Sequence, residues 1–490
     1  MEFESISGVR YYYDNEIGIA FPSHPLIEKM IQNVPLQEED IPTVNTDDDV
    51  LFYSRFLQKL NKIRPRHKIP RKHPIQPEEV KQMVLHDGLY QMILGITEDC
   101  NLRCRYCVYS EAYTLSRKPS KVRMEFTTAK KALDWYISLV MEGREYNPVR
   151  KPAISFYGGE PLLNFDLIKK CVQYVKTTYP DLEFTFSLTT NGTLLNQERE
   201  DFLKEHGFLM NISIDGPKEE HDRNRIYQDG RGTFDDVMKN VRRFMSSGYD
   251  KDKFSSICVF DWKCNLFSLD AFFRQPDIPK LSLMTTPSVH DGCVYYDQFS
   301  DDDFQNYLTS EKKAFQYYLD HATDDTTRHS VFEQLYPLFA SRFLYSIPTM
   351  IMPENRVIPY SGACILGRKI FVDVHGIFHP CERINQSFPI GDEKSGLDFT
   401  AIALIMNNYL EHLDSCKTCA ISKTCGYCYN QFAQKGTFNY ASEVCKKEED
   451  IKKFDFSRTF TLGERYPHLL DMVVKDYYTW LSKVSPTLGD

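Results

Sequence analysis

Ten of the fourteen cysteines in this chain fall into two clusters, and thiolates gathered in this way usually bind metal. The first cluster is "CNLRCRYC", which sets Cys100, Cys104 and Cys107 at x3 and x2 spacing. A loop of that spacing can wrap three thiolates round one inorganic centre. Structural zinc normally closes its tetrahedron with four protein ligands, and no obvious fourth is near, the next histidine being His206. Three thiolates on a [4Fe-4S] cube would instead leave one iron open to a small molecule. The second cluster holds Cys364, Cys381, Cys416, Cys419, Cys425, Cys428 and Cys445, with x2, x5 and x2 spacing in "CKTCAISKTCGYC". Seven is more than one tetrahedral site needs and one short of two, so two zinc sites stand as the plain alternative to iron-sulfur. Cys171 and Cys258 have apolar neighbours and are expected in the core, and no required role is expected of Cys264 or Cys293.

The elements that must position the first cluster are legible as alternating short strands and amphipathic helices. Strands are predicted at 89–97, 153–158, 183–191, 209–215, 254–260 and 280–286, with helices at 127–141, 165–177, 197–206, 234–246 and 267–273. Six strand-helix units in series imply an α/β fold with a parallel sheet, doubly wound or curved into a partial barrel. The informative residues follow strands, where such sheets place their chemistry.

Outside this region the chain changes character. Residues 1–87 read as a separate N-terminal unit: a hairpin turning at Asp14-Asn15, helices in "PLIEKMIQNV" and "DVLFYSRFLQKLNKI", and a basic, Pro-rich linker. Residues 88–299 carry the strand-helix series, 300–361 a helical bridge, 362–450 the Cys-rich module and 451–490 a closing helical region. The net charge of −9 argues against a dedicated nucleic-acid binder. Hydrophobic residues at 42% and charged residues at 26% fit a folded globular chain. No signal peptide or membrane-length apolar run is seen, so a reducing cytoplasmic compartment, and metal binding over disulfides, is expected.

With Tyr106 before its third cysteine, and placed after the first strand, "CNLRCRYC" resembles the signature of the radical S-adenosylmethionine (AdoMet) enzymes. "YGGEP", with Gly158, Gly159 and Glu160, follows the second strand, where that family holds the methionyl amine of the cofactor. "TTNGTLL" resembles a cofactor-facing loop and offers Asn191, while Ser213 and Arg225 in "SIDGPKEEHDRNR" match cofactor contacts of peptide and sulfatase maturases. The resemblance implies a partial (β/α)6 barrel holding one [4Fe-4S] cluster with AdoMet. The Cys-rich module resembles the SPASM domain of radical enzymes that modify peptides, which implies two auxiliary [4Fe-4S] clusters. Carried over, Cys416, Cys419, Cys425 and Cys445 hold the outer cluster and Cys364, Cys381 and Cys428 the inner one. Cys425 and Cys428 are separated by two residues where the family has three, and no second cysteine lies near Cys364. The inner cluster is therefore read with an iron open to a substrate thiolate, with His375, His379, Glu382 and Cys293 as the alternative fourth ligands.

The family's chemistry implies that a 5′-deoxyadenosyl radical abstracts hydrogen and that a substrate held by sulfur closes a thioether. The leading reading is thus a thioether-forming maturase of a ribosomally made, Cys-containing precursor peptide. The N-terminal unit would bind the leader by strand addition, and a flavodoxin or ferredoxin would supply electrons. No catalytic residue is firmly assigned; Glu382, next to Cys381, is the acid/base candidate. Competing readings are a formylglycine-forming sulfatase maturase, a carbon-carbon crosslinking peptide enzyme and, from another class, a zinc-binding interaction module.

Overall fold

The computed structural model describes residues 1–15, 19–23, 74–288, 292–324, 330–337, 366–412, 416, 418–422, 424–439, 442–469, 471–472, 475 and 479. The two predicted N-terminal helices, the basic linker before residue 74 and Cys364 lie outside them. The predicted hairpin is present: β2 (Arg10–Asp14) pairs antiparallel with β3 (Ile19–Pro22), and β1 (Glu2–Glu4) adds to the other side of β2.

All six predicted strands form: β4 (Gln91–Gly95), β5 (Ala153–Tyr157), β6 (Thr185–Thr190), β7 (Leu209–Ser213), β8 (Phe254–Val259) and β9 (Lys280–Thr285). They pair in parallel and in chain order, because each is returned to the same end by a helix with an apolar face. The returning helices are Phe126–Gly143, Phe165–Thr178, Gln197–Glu205, Phe234–Ser246 and Leu266–Phe273. Burial alternates along β6 and β7, so one face of the sheet is the more deeply buried, and one lateral row shows it. Leu94, Phe156, Leu188, Met210 and Phe254 stand side by side across five strands, all buried.

The sequence reading did not assign the strands that extend this sheet. β10 (Lys369–Val372) lies parallel to β4, with Val372 opposite Leu94, and β11 (Ile377–His379), β12 (Gly391–Asp392) and β13 (Gly396–Leu397) follow antiparallel. The Cys-rich module therefore enters the same sheet as the strand-helix series. The physical reason lies at β4, whose outer edge would otherwise leave its backbone groups unpaired. "KIFV" supplies four residues, three of them apolar and buried, to close it.

Helix Pro77–Asp87 buries Val80, Val84 and Leu85 in the main core and packs against Phe126–Gly143 and Phe399–His412. Beyond β9, helix Asp301–His321 is fixed to the long helix Ser442–Arg465 by the Arg458–Glu311 ion pair and by Tyr466 Oη donating to Leu319 O at 2.7 Å. The N-terminal sheet sits on that same long helix, with Phe3, Tyr11 and Tyr13 clustered on Phe456. Among the described residues no helix is long and apolar enough to cross a membrane.

Candidate active site

The loop carrying Cys100, Cys104 and Cys107 leaves the C-terminal end of β4 and is pinned on two sides. On one side Gly159 N donates to Thr97 O and Glu160 N to Asp99 O, each at 2.8 Å. Gly158 has φ +139°, and a Cβ there would stand 2.2 Å from Thr97 O; at Gly159 a Cβ would stand 2.2 Å from Asp99 O. The two glycines thus admit the strand end that delivers the cysteines, a close approach no other residue type permits. On the other side Arg103 N donates to Ile226 O at 2.7 Å and Arg105 N to Asn224 O at 3.0 Å.

Glu160 is wholly buried. Its Oε1 accepts from Leu162 N (3.0 Å) and the Thr190 hydroxyl (2.7 Å), and its Oε2 from Asn191 N (2.8 Å). Burial raises its pKa against those bonds, and Glu160 in turn adds to the pKa of Cys100. Asn191 also reaches the loop through Nδ2, donating to Asn101 Oδ1 at 3.0 Å and lying 4.0 Å from Cys100 Sγ.

Below Cys104 lies a buried chain of three groups. The Tyr106 hydroxyl donates to Asp215 Oδ2 at 2.5 Å and accepts from Arg225 Nη1 at 2.7 Å. Asp215 accepts from Val259 N at 3.1 Å, while its own N–H meets His221 Nδ1 at 3.3 Å. Arg225 is 6% exposed and its Nε has no partner among the described residues, a donor left for a ligand. Ser213 closes β7 at the same end of the sheet, opposite Ile257. Asp215, expected with Ser213 at the end of this strand, is thus joined to Arg225 through Tyr106, whereas His221 was missed because "SIDGPKEEHDRNR" conceals a short helix, Lys218–Asn224, that turns it inward.

Burial pushes the thiols up, Cys100 to about 12 and Cys104 to about 11, with Arg225 opposing the rise at Cys104. Cys107 rises for the same reason. Such thiols ionise when a cationic centre takes the place of their protons, and three soft donors on one loop are a fitting set for an iron-sulfur cluster. Among the described residues no three Cys, His, Asp or Glu side chains converge closely enough to grip a single metal ion. A cube of irons and sulfides holds its thiolates farther apart than one ion does.

In the second set Cys425 is within electrostatic reach of Cys445 and Cys416, and Cys381 of Cys428. Of the alternative inner ligands, His379 Nε2 faces Asp373 Oδ2 at 3.0 Å, and Cys293 lies beside Tyr113 and Tyr296. Glu382 lies within electrostatic reach of Tyr109 and Tyr157, both of which also sense Cys107. Burial would raise its pKa, but Lys369, Arg383 and Arg117 overcome that and keep it an anion. Glu382 Oε2 and the Tyr109 hydroxyl have no hydrogen-bond partner among the described residues. Tyr109, two positions past Cys107, was missed in the sequence reading, as was Arg117, whose guanidinium stacks on Phe371 at 4.1 Å.

Residues 94–261 match the Radical SAM superfamily model. The chain is 36% identical over 155 residues to an uncharacterized protein of Methanocaldococcus jannaschii, MJ0907, a match covering 32% of this chain and 48% of the relative. It is 31% identical over 157 residues to the cysteine-type anaerobic sulfatase-maturating enzyme of Clostridium novyi, covering 32% of this chain and 40% of that enzyme. The chain thus spans less than half the length of these curated relatives. The solved structure of native anSMEcpe with bound AdoMet superposes with a TM-score of 0.56 at 20% identity, covering 78% of this chain and 98% of the other. The same enzyme with AdoMet and the Cp18Cys peptide gives 0.54 at 20% identity, over 79% and 99%. The architecture is a radical SAM fold.

Proposed function

We propose that this chain, which carries a Radical SAM superfamily domain at residues 94–261, is a radical AdoMet enzyme that closes thioether links in a ribosomally made, Cys-containing peptide. One observation supports the reading: Glu382, next in the chain to Cys381, lies within electrostatic reach of Tyr109 and Tyr157, which also sense Cys107. A substrate placed there would meet both cysteine sets at once. Cys100, Cys104 and Cys107 would hold a [4Fe-4S] cluster, and Gly158, Gly159, Glu160, Asn191, Ser213 and Arg225 would hold AdoMet beside it. When bound, these groups supply a 5′-deoxyadenosyl radical that takes a hydrogen atom from the substrate.

The chain's own residues would do the rest. Arg225 offers Nε to a carboxylate or ribose oxygen, and Tyr106 and Asp215 fix its guanidinium. Cys381 and Cys428, with Cys364, would hold the inner auxiliary cluster, and Cys416, Cys419, Cys425 and Cys445 the outer one. Glu382, held anionic beside Cys381, would take the thiol proton of an incoming cysteine. Forming the link would remove two hydrogens from the peptide, one as an atom from carbon and one as a proton from sulfur, and an auxiliary cluster held by these cysteines would supply the acceptor for the remaining electron.

A second reading, formylglycine formation, is favoured by the name of the Clostridium novyi relative and by the same carboxylate, which could instead deprotonate a substrate side chain. Anaerobic reconstitution should give brown protein with iron and sulfide for three clusters. Replacing Cys100, Cys104 and Cys107 with Ala should abolish 5′-deoxyadenosine release. Mass spectrometry of a Cys-containing peptide encoded beside this gene would decide the product. Loss of two hydrogens with loss of free thiol supports the thioether; an aldehyde supports formylglycine, and retained thiols with the same mass loss a carbon-carbon link. Colourless protein holding only zinc would end the radical reading.

A further inference from the structure

We infer that the N-terminal hairpin is a working part of the outer cysteine site, and that Asn15 is a positioning residue for it. This rests on the reading that Cys416, Cys419, Cys425 and Cys445 hold a cluster, and it deepens that reading. Asn15 ends the turn side of β2, and its side-chain Nδ2 donates to Cys419 O at 2.9 Å and to Ser422 Oγ at 2.7 Å. Both acceptors lie in the loop between Cys416 and Cys425. Tyr13, next but one on the same strand, is fully buried, with its ring against Phe456 at 4.9 Å. Its hydroxyl lies against Thr424 and within electrostatic reach of Cys419.

The opposite side of the site is held by the helix on which this sheet rests. Ser442–Arg465 carries Cys445 in its first turn, and Glu448 one turn later accepts from Gly426 N at 3.3 Å, beside Cys425. The sheet is tied to the far end of that helix by Tyr11 Oη donating to Glu464 Oε1 at 2.7 Å and Ile6 N to Thr461 Oγ1 at 2.9 Å. Three of the four cysteines come from a loop with little regular structure and the fourth from a helix. Left to itself, such a loop would hold its thiolates in place only loosely. The sheet spans loop and helix and fixes their spacing, as groups behind the ligands do in metal sites generally.

The test uses the full-length protein, reconstituted anaerobically. Asn15→Asp keeps the shape and removes the donor; Ser5→Ala, which removes the contact to Glu464 and the bond from Val9 N without touching the Cys416–Cys425 loop, is the control. Expected for Asn15→Asp is a fall of about four irons per chain, or a shifted outer-cluster EPR signal, with the Cys100 set still loaded. In the metal-free protein, Cys416 and Cys419 should be alkylated about five- to thirtyfold faster, the effect of two lost hydrogen bonds, with unchanged circular dichroism. Iron content, EPR signal and alkylation rates equal to wild type would overturn the inference while leaving the proposed function standing. Wild-type protein that takes up no cluster iron would overturn both.

Discussion

The charge of Asp455 makes stability depend on pH. It is buried in helix Ser442–Arg465, and burial lifts its pKa from the ordinary 3.8 to about 6, against the pull of Lys452 at 3.3 Å and with a push from Glu448. A folded pKa above the unfolded one means the native chain binds the proton more tightly. Stability from this group is present at low pH and is lost as pH rises from 3.8 through about 6. Asp455→Asn should therefore raise the thermal midpoint at pH 8, and the gain should vanish by pH 4; an equal gain at both would contradict the sign. Lys452 keeps Glu448 at 3.5 Å in either form. Gly158 is the opposite kind of position, one where geometry decides. Gly158→Ala combines φ +139° with a 2.2 Å contact on Thr97 O, strain of about 1–3 kcal/mol before the clash is counted. The thermal midpoint should fall by several degrees, and iron should be lost first from the Cys100 set, because the clash falls on the strand that delivers it.

At the scale of elements, the helix after β9 shows how local chemistry sets a boundary. Ser300 Oγ accepts from Asp303 N at 3.2 Å and Asp303 Oδ2 from Ser300 N at 2.9 Å, a reciprocal cap on helix Asp301–His321. Ser300→Ala should cost about 1 kcal/mol in denaturant unfolding, and Ser300→Gly a few tenths. An alanine variant as stable as wild type would mean the cap is replaced by solvent. Strand β10 is set by the reverse logic, since nothing in "KIFV" specifies a partner. The unpaired edge of β4 and the space over Gly95 do so. A Cβ at Gly95 would stand 2.6 Å from the Phe371 ring, so only glycine lets that ring lie over β4 and under Arg117.

At the scale of the molecule, the strand-helix series and the Cys-rich module share one sheet, so they should unfold together. A fragment of residues 74–300 would expose the outer edge of β4 and the core faces of Val80 and Val84. It should elute as aggregate in size-exclusion chromatography, and a stable monomer would show that the module is separable. The long helix Ser442–Arg465 extends the same linkage to the first residues of the chain, through Phe456 and Glu464.

How far the sequence reached can be read from particular residues. The six parallel strands and their helices were legible because apolar alternation, strand length and helical period are local and agree with one another. The Cys100 loop was legible because three soft ligands within eight positions seldom stand so close without a shared centre to bind. Four kinds of information appeared only with the tertiary structure: the pairing of β10 with β4, the inward turn of His221, the approach of Glu382 to Tyr109, and the reach of Asn15 to Cys419. Three depend on chain segments brought together across long sequence separations, and the turn of His221 on a short helix that the residue pattern conceals. Residue types and their spacing settled which side chains could bind a cluster; the fold decided which of them stand together and what holds them there, because hydrogen bonds and buried charge are set by neighbours in space.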